Sequence, residues 1–106
     1  MNFEDLFKTA LDAGIGVVKT GAKEAEDWVV RTANANKDFY LSIATAVARH
    51  EISQGTATRL LNENDLRIDA DAAALSVIIR ATAQGAINTF MNSLRAGLSA
   101  ALKLAL

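Results

Sequence analysis

The chain has 106 residues, 51% of them hydrophobic, with no cysteine, no proline and a formal net charge of −1. That length bounds one domain around one core, placed here at residues 1–106. The missing cysteines exclude disulfide and thiolate chemistry and fit a reducing, cytoplasmic setting, and near-neutrality supplies no bulk field toward nucleic acid or anionic lipid.

With no proline and six glycines, long helices meet few breakers. The composition predicts an all-α fold. We expect an elongated three- to four-helix bundle with long first and last helices and a broken middle segment. Charge is divided along the chain: residues 1–71 hold all 12 acids and 8 bases, residues 72–106 no acid and 3 bases.

Apolar residues at steps of three and four predict a first helix over residues 3–33, with Asn2 as N-cap and Glu4 and Asp5 in the first turn, where the helix dipole favours acids. Gly14, Gly16 and Gly21 interrupt it, each costing about 1 kcal/mol relative to alanine. They are not a phosphate loop, because Gly14-Ile15-Gly16 would need a third glycine where Lys19 stands. A second helix is expected over 37–50, capped by Asn34 or Asn36. A short helix capped by Ser53 follows, ending near Glu63 at a polar turn, Asn62-Glu63-Asn64-Asp65.

The last third, Ile68 to Leu106, reads as one long helix capped by Asp69, with Lys103 in its final turn. Ala81, Gly85, Thr89, Ser93, Gly97 and Ala101 stand at strict four-residue spacing, which flattens one ridge of the helix into a groove for a close neighbour. Arg80, Gln84, Asn88, Asn92, Arg95, Ser99 and Lys103 form a narrow polar stripe expected to face water. Ile87, Phe90, Leu94 and Leu98 belong to a broad apolar face. Such a helix would be about 55 Å long and the first about 45 Å, against a diameter on the order of 35 Å for a globule of this size. The overhang predicts a homo-oligomer, a dimer by preference, joined through the last helix.

The longest uncharged window, residues 81–94, is shorter than the roughly 20 residues a bilayer span needs. His50 is the sole histidine and has no cysteine, second histidine or serine spacing to make it catalytic. Asn62, Asn64, Asp65, Asp69 and Asp71 resemble a calcium loop, but Leu66, Arg67 and Ala73 stand where that loop needs an oxygen ligand, a glycine and a glutamate. No catalytic, metal or cofactor site is expected.

Residues 44–62 carry one resemblance. Ala44 to Arg49 leading through His50-Glu51-Ile52 into Ser53-Gln54-Gly55-Thr56 and Arg59-Leu60-Leu61-Asn62 resembles the helix-turn-helix of bacterial and phage repressors. The resemblance implies DNA contact by Ser53, Gln54, Thr56, Thr58 and Arg59. It departs from that pattern at Val47, Glu51 and Ala57, and residues 39–71 carry five acids against three bases, a poor charge for DNA. A third reading is an amphipathic last helix lying on anionic lipid; pairing of its cations with Glu24, Glu26 and Asp27 accounts for the charge asymmetry without lipid. The expected function is a small, non-enzymatic structural or interaction protein that self-associates through its last helix. The contacts would be Ala81, Gly85, Thr89, Ser93 and Gly97 for close approach, and Ile87, Phe90, Leu94 and Leu98 for burial.

Overall fold

A computed structural model describes residues 2–18 and 22–104. Asn2 starts the first helix, α1 (Phe3–Gly16), by accepting the Asp5 N–H on its side-chain oxygen at 3.3 Å. The helix stops at the glycines: Val17 and Val18 turn their N–H groups back to Gly14 and Ile15. The expected 3–33 helix is therefore two, and Lys19 and Gly21 lie outside the described residues. The next helices are α2 (Lys23–Ala35) and α3 (Lys37–Ala48). They are parted only by Asn36, whose side chain and backbone both donate to the Thr32 carbonyl, so it ends α2 rather than capping α3.

At the end of α3, His50 takes a left-handed φ of 60° and lets the Glu51 N–H reach the Ala46 carbonyl at 2.8 Å. Ser53 then caps α4 (Gln54–Ala73), its Oγ accepting the Thr56 N–H at 3.1 Å. Here the sequence expectation fails twice. The helix continues past Glu63 through the supposed polar turn, and Asp69 lies inside it rather than capping the next one. Asn62, Asp65 and Asp69 stay helical because their side chains find partners on other helices instead of competing for their own backbone. The chain reverses at Ala74–Ser76, and α5 (Val77–Leu102) runs 26 residues. The predicted continuous helix from Ile68 is thus broken, because folding α4 back buries its apolar side in the core.

Among the described residues these five helices are the only regular structure. With α2 and α3 as one kinked rod, they make four rods running alternately up and down. Leu6 lies on Gly97 and Gly14 on Ala86, so α1 is antiparallel to α5. Trp28 lies near Ile79, and Val47 near Leu102, so α2 and α3 run with α5. Asp69 bonds Gln84 and Asp65 bonds Arg95, so α4 runs against it. The bundle measures 43 × 24 × 20 Å. At about 39 Å, α5 fits within the long axis, and the overhang expected of a longer helix does not arise.

The core is built round α5. Phe90 is fully buried, with the Phe7 ring edge-on at 5.5 Å and the Tyr40 ring at 6.1 Å. Helix α1 comes closest of all. A Cβ on Gly14 would stand 2.9 Å from the Ala86 carbonyl oxygen, so glycine is what allows this approach.

Candidate functional site

Helix α5 has three kinds of surface. Ile87, Phe90, Leu94 and Leu98, expected to be buried by self-association, are at most 1% exposed inside the chain's own bundle. In the single chain they are core, not surface. The four-residue ridge is divided. Gly97 takes Leu6 of α1, whose Cδ2 would lie 3.1 Å from a Cβ there; Ser93 and Thr89 are half-buried, while Ala81, Gly85 and Ala101 are exposed. Nothing lies within 4 Å of a Cβ placed on Gly85, and Val17, Ala81, Thr82 and Thr89 rim a shallow depression there.

The N-terminal end of α5 is the uncovered part. Val77 is 80% and Ile78 91% exposed, and Val17, beside Ala81 and Gly85, is 49% exposed. No charged residue follows Arg80 until Arg95.

The polar stripe does not face water as a whole. Gln84 donates to Asp69 at 2.7 Å and to Asn88 at 3.2 Å; Arg95 donates to Asn62 and to Asp65, both at 2.9 Å. These bonds form a polar seam between α4 and α5. Tyr40 of α3 extends it: its hydroxyl donates to Asp65 at 3.3 Å and accepts from the buried Asn64 at 3.3 Å. Among the described residues no buried polar side-chain atom lacks a partner.

Burial pushes the Asp65 carboxyl above the ordinary carboxylate value, and Arg95 only partly offsets that. Burial, followed by the Asp65 charge, also raises the Tyr40 phenol, so it remains a donor at neutral pH. Sequence reasoning missed this cluster. Its signal was available as two amide- and acid-bearing stripes, Asn62–Asp65–Asp69 and Gln84–Asn88–Arg95, each at helical spacing. The expected pairing with Glu24, Glu26 and Asp27 does not occur among the described residues; the ion pair of α5 is with Asp65.

Several side chains of the repressor-like stretch bond along their own helix, while Ser53, Gln54 and Arg59 are exposed. Ser53 and Thr56 bond each other, Thr58 bonds the Gln54 carbonyl, and Arg59 pairs with Glu63 at 3.2 Å. Phe39 and Tyr40 lie against Asn64 while Ala48 lies near Gln54, so α3 and α4 form an antiparallel α-hairpin. Among the described residues, no cluster of three or more His, Cys, Asp or Glu is placed to hold a metal, and no helix is long and apolar enough to cross a membrane.

The fold and the exposed end of α5 define an all-α up-and-down bundle with an uncovered aliphatic corner. Comparison with protein-family models, curated proteins and solved structures finds no match for this chain.

Proposed function

We propose that the protein is a small, non-enzymatic structural or interaction protein that self-associates through α5, with a second copy as its partner. The observation that carries this reading is the uncovered aliphatic corner at Val77 and Ile78. Fully burying an aliphatic side chain of this size is worth about 1.5–3 kcal/mol, so two copies that meet there gain from both sides of a symmetric contact. Ala81 and Gly85, exposed next to the corner, carry no charge for a second copy to meet.

Sedimentation equilibrium on the wild type and on Ile78→Asp tests the reading. The wild type should sediment as a dimer and the variant should dissociate at lower total concentration, with its helix content unchanged because position 78 is exposed in the single chain. An Ile78→Asp protein as strongly associated as the wild type would remove the support this corner gives.

A further inference from the structure

We infer that the dimer forms by exchange of α5: each copy's last helix leaves its own bundle and packs into the other's, with Ala74–Ser76 as the hinge. This rests on the self-association reading and specifies how that association is made.

The hinge is the first observation. From Ala72 to Ile78 the sequence is Ala-Ala-Ala-Leu-Ser-Val-Ile, in which Ser76 is the one turn-favouring residue and no glycine, proline, asparagine or aspartate stands. Ala74 is already helical, at φ −81° and ψ −7°, and Ser76 is extended, at φ −60° and ψ 152°. Ser76 makes no side-chain cap to α5. Arg80 holds the reversal from outside by donating to the Leu75 carbonyl at 3.0 and 3.2 Å. Rotation of Leu75 and Ser76 into the helical region makes α4 and α5 one continuous helix from Gln54 to Leu102, about 74 Å long. Ala72 to Leu75 are strong helix formers and Ser76 to Ile78 middling ones, so no residue forbids that helix, and packing with the Arg80 bonds holds the closed turn against it.

The second observation is area. The exposed corner at Val17, Val77 and Ile78 is far smaller than the roughly 800 Å² per partner that a stable interface buries. Exchange makes the whole contact of α5 with α1–α4 intermolecular. That contact holds seven buried residues of α5, Phe90 and Leu94 among them, and two such contacts form in each dimer. Closed-state contacts outside the hinge are kept, with the groups merely supplied by the other chain, and the Arg80 bonds to the Leu75 carbonyl are given up. Ile87, Phe90, Leu94 and Leu98 then become interchain residues although the single chain buries them. The corner is also accounted for. In a two-fold exchanged dimer the two hinges cross, and Val77 and Ile78 of one copy come to lie beside those of the other.

Two variants test this. Leu6 Cβ lies 4.0 Å from a Cβ built on Gly97, within the range a disulfide needs, and the chain has no other cysteine. The Leu6→Cys/Gly97→Cys protein, oxidised in its native state at a concentration where its mass is dimeric, should run as a covalent dimer on a non-reducing gel. A dimeric mass with an intrachain disulfide would overturn exchange and leave self-association standing; a monomeric mass at all concentrations would overturn both.

Val77→Pro provides the second test without cysteine. The closed turn accepts proline, because position 77 is the first residue of α5, its N–H has no intrahelical acceptor, and Ser76 already has the extended conformation that proline demands before it. A continuous helix does not accept it. The variant should halve the mass from about 22.6 kDa, twice the chain's 11.3 kDa, while keeping wild-type helix content. If Val77→Pro remains dimeric, exchange through this hinge is wrong.

Discussion

Alanine placed at two of the glycines should change stability in opposite directions. Gly14 and Gly85 are both helical, and alanine relieves each of about 1 kcal/mol of backbone cost. At Gly85 nothing lies within 4 Å of the new Cβ, so Gly85→Ala should gain that 1 kcal/mol. At Gly14 the Cβ meets the Ala86 carbonyl oxygen at 2.9 Å and Phe90 Cβ at 3.0 Å. Neither atom is the end of a flexible side chain, so α1 and α5 must separate. Overpacking of this kind costs about 1–3 kcal/mol, which leaves Gly14→Ala about 1 kcal/mol less stable than the wild type. For a domain near 100 residues, 1 kcal/mol moves the melting temperature by roughly 4–8 °C. Thermal melts by far-UV circular dichroism at one fixed protein concentration should thus place the two variants on opposite sides of the wild type. Should Gly14→Ala rise with Gly85→Ala, the close α1–α5 approach is not the packing in solution. Gly97→Ala should fall between them, since the atom it meets is the flexible end of Leu6 at 3.1 Å.

Three other effects follow from local geometry. Asp65 has a folded-state pKa raised above its ordinary value, so the folded chain holds that proton more tightly than the unfolded one. The stability it contributes is full below the ordinary carboxylate pKa of about 4 and is lost as pH rises through the raised value. The stability of Asp65→Asn relative to the wild type should therefore increase between pH 4 and pH 7 in urea titrations; a decrease would mean that the attraction of Arg95 outweighs burial. His50→Gly should stabilise by about 0.5–1 kcal/mol in the same assay, because the left-handed φ of 60° costs a histidine what it does not cost glycine. Ser53→Ala should destabilise by about 1 kcal/mol through loss of the Thr56 N–H bond, and no change would show that α4 begins elsewhere.

Much of the bundle was legible because its signals are local. The Asn2 and Ser53 caps follow from a few neighbouring residues, whereas the glycines marked an interruption in the expected first helix without showing that it ends there. The core face of α5 was also readable from periodicity, since Ile87, Phe90, Leu94 and Leu98 share one side of a 3.6-residue helix. What covers that face was not readable, because periodicity shows that a partner is needed and is silent on which chain supplies it. The turn at Ala74–Ser76 left little trace for a related reason: no residue there forbids helix, and packing with the Arg80 bonds holds the chain bent. The polar seam was misread as a water-facing stripe because Gln84, Asn88 and Arg95 look the same opposite solvent as opposite Asp69, Asn62 and Asp65. In the repressor-like stretch the bonds of Ser53, Thr56, Thr58 and Arg59 along their own helix could not be read from residue types alone.

The proposed self-association joins two copies through α5. Its most direct test is the absolute mass of the wild-type protein by light scattering, without detergent, at low and at high micromolar concentration. A discrete dimer near 22.6 kDa, twice the mass of one chain, is expected at the higher concentration. A mass of 11.3 kDa at both concentrations would contradict it and leave α5 as the core of a self-sufficient monomer.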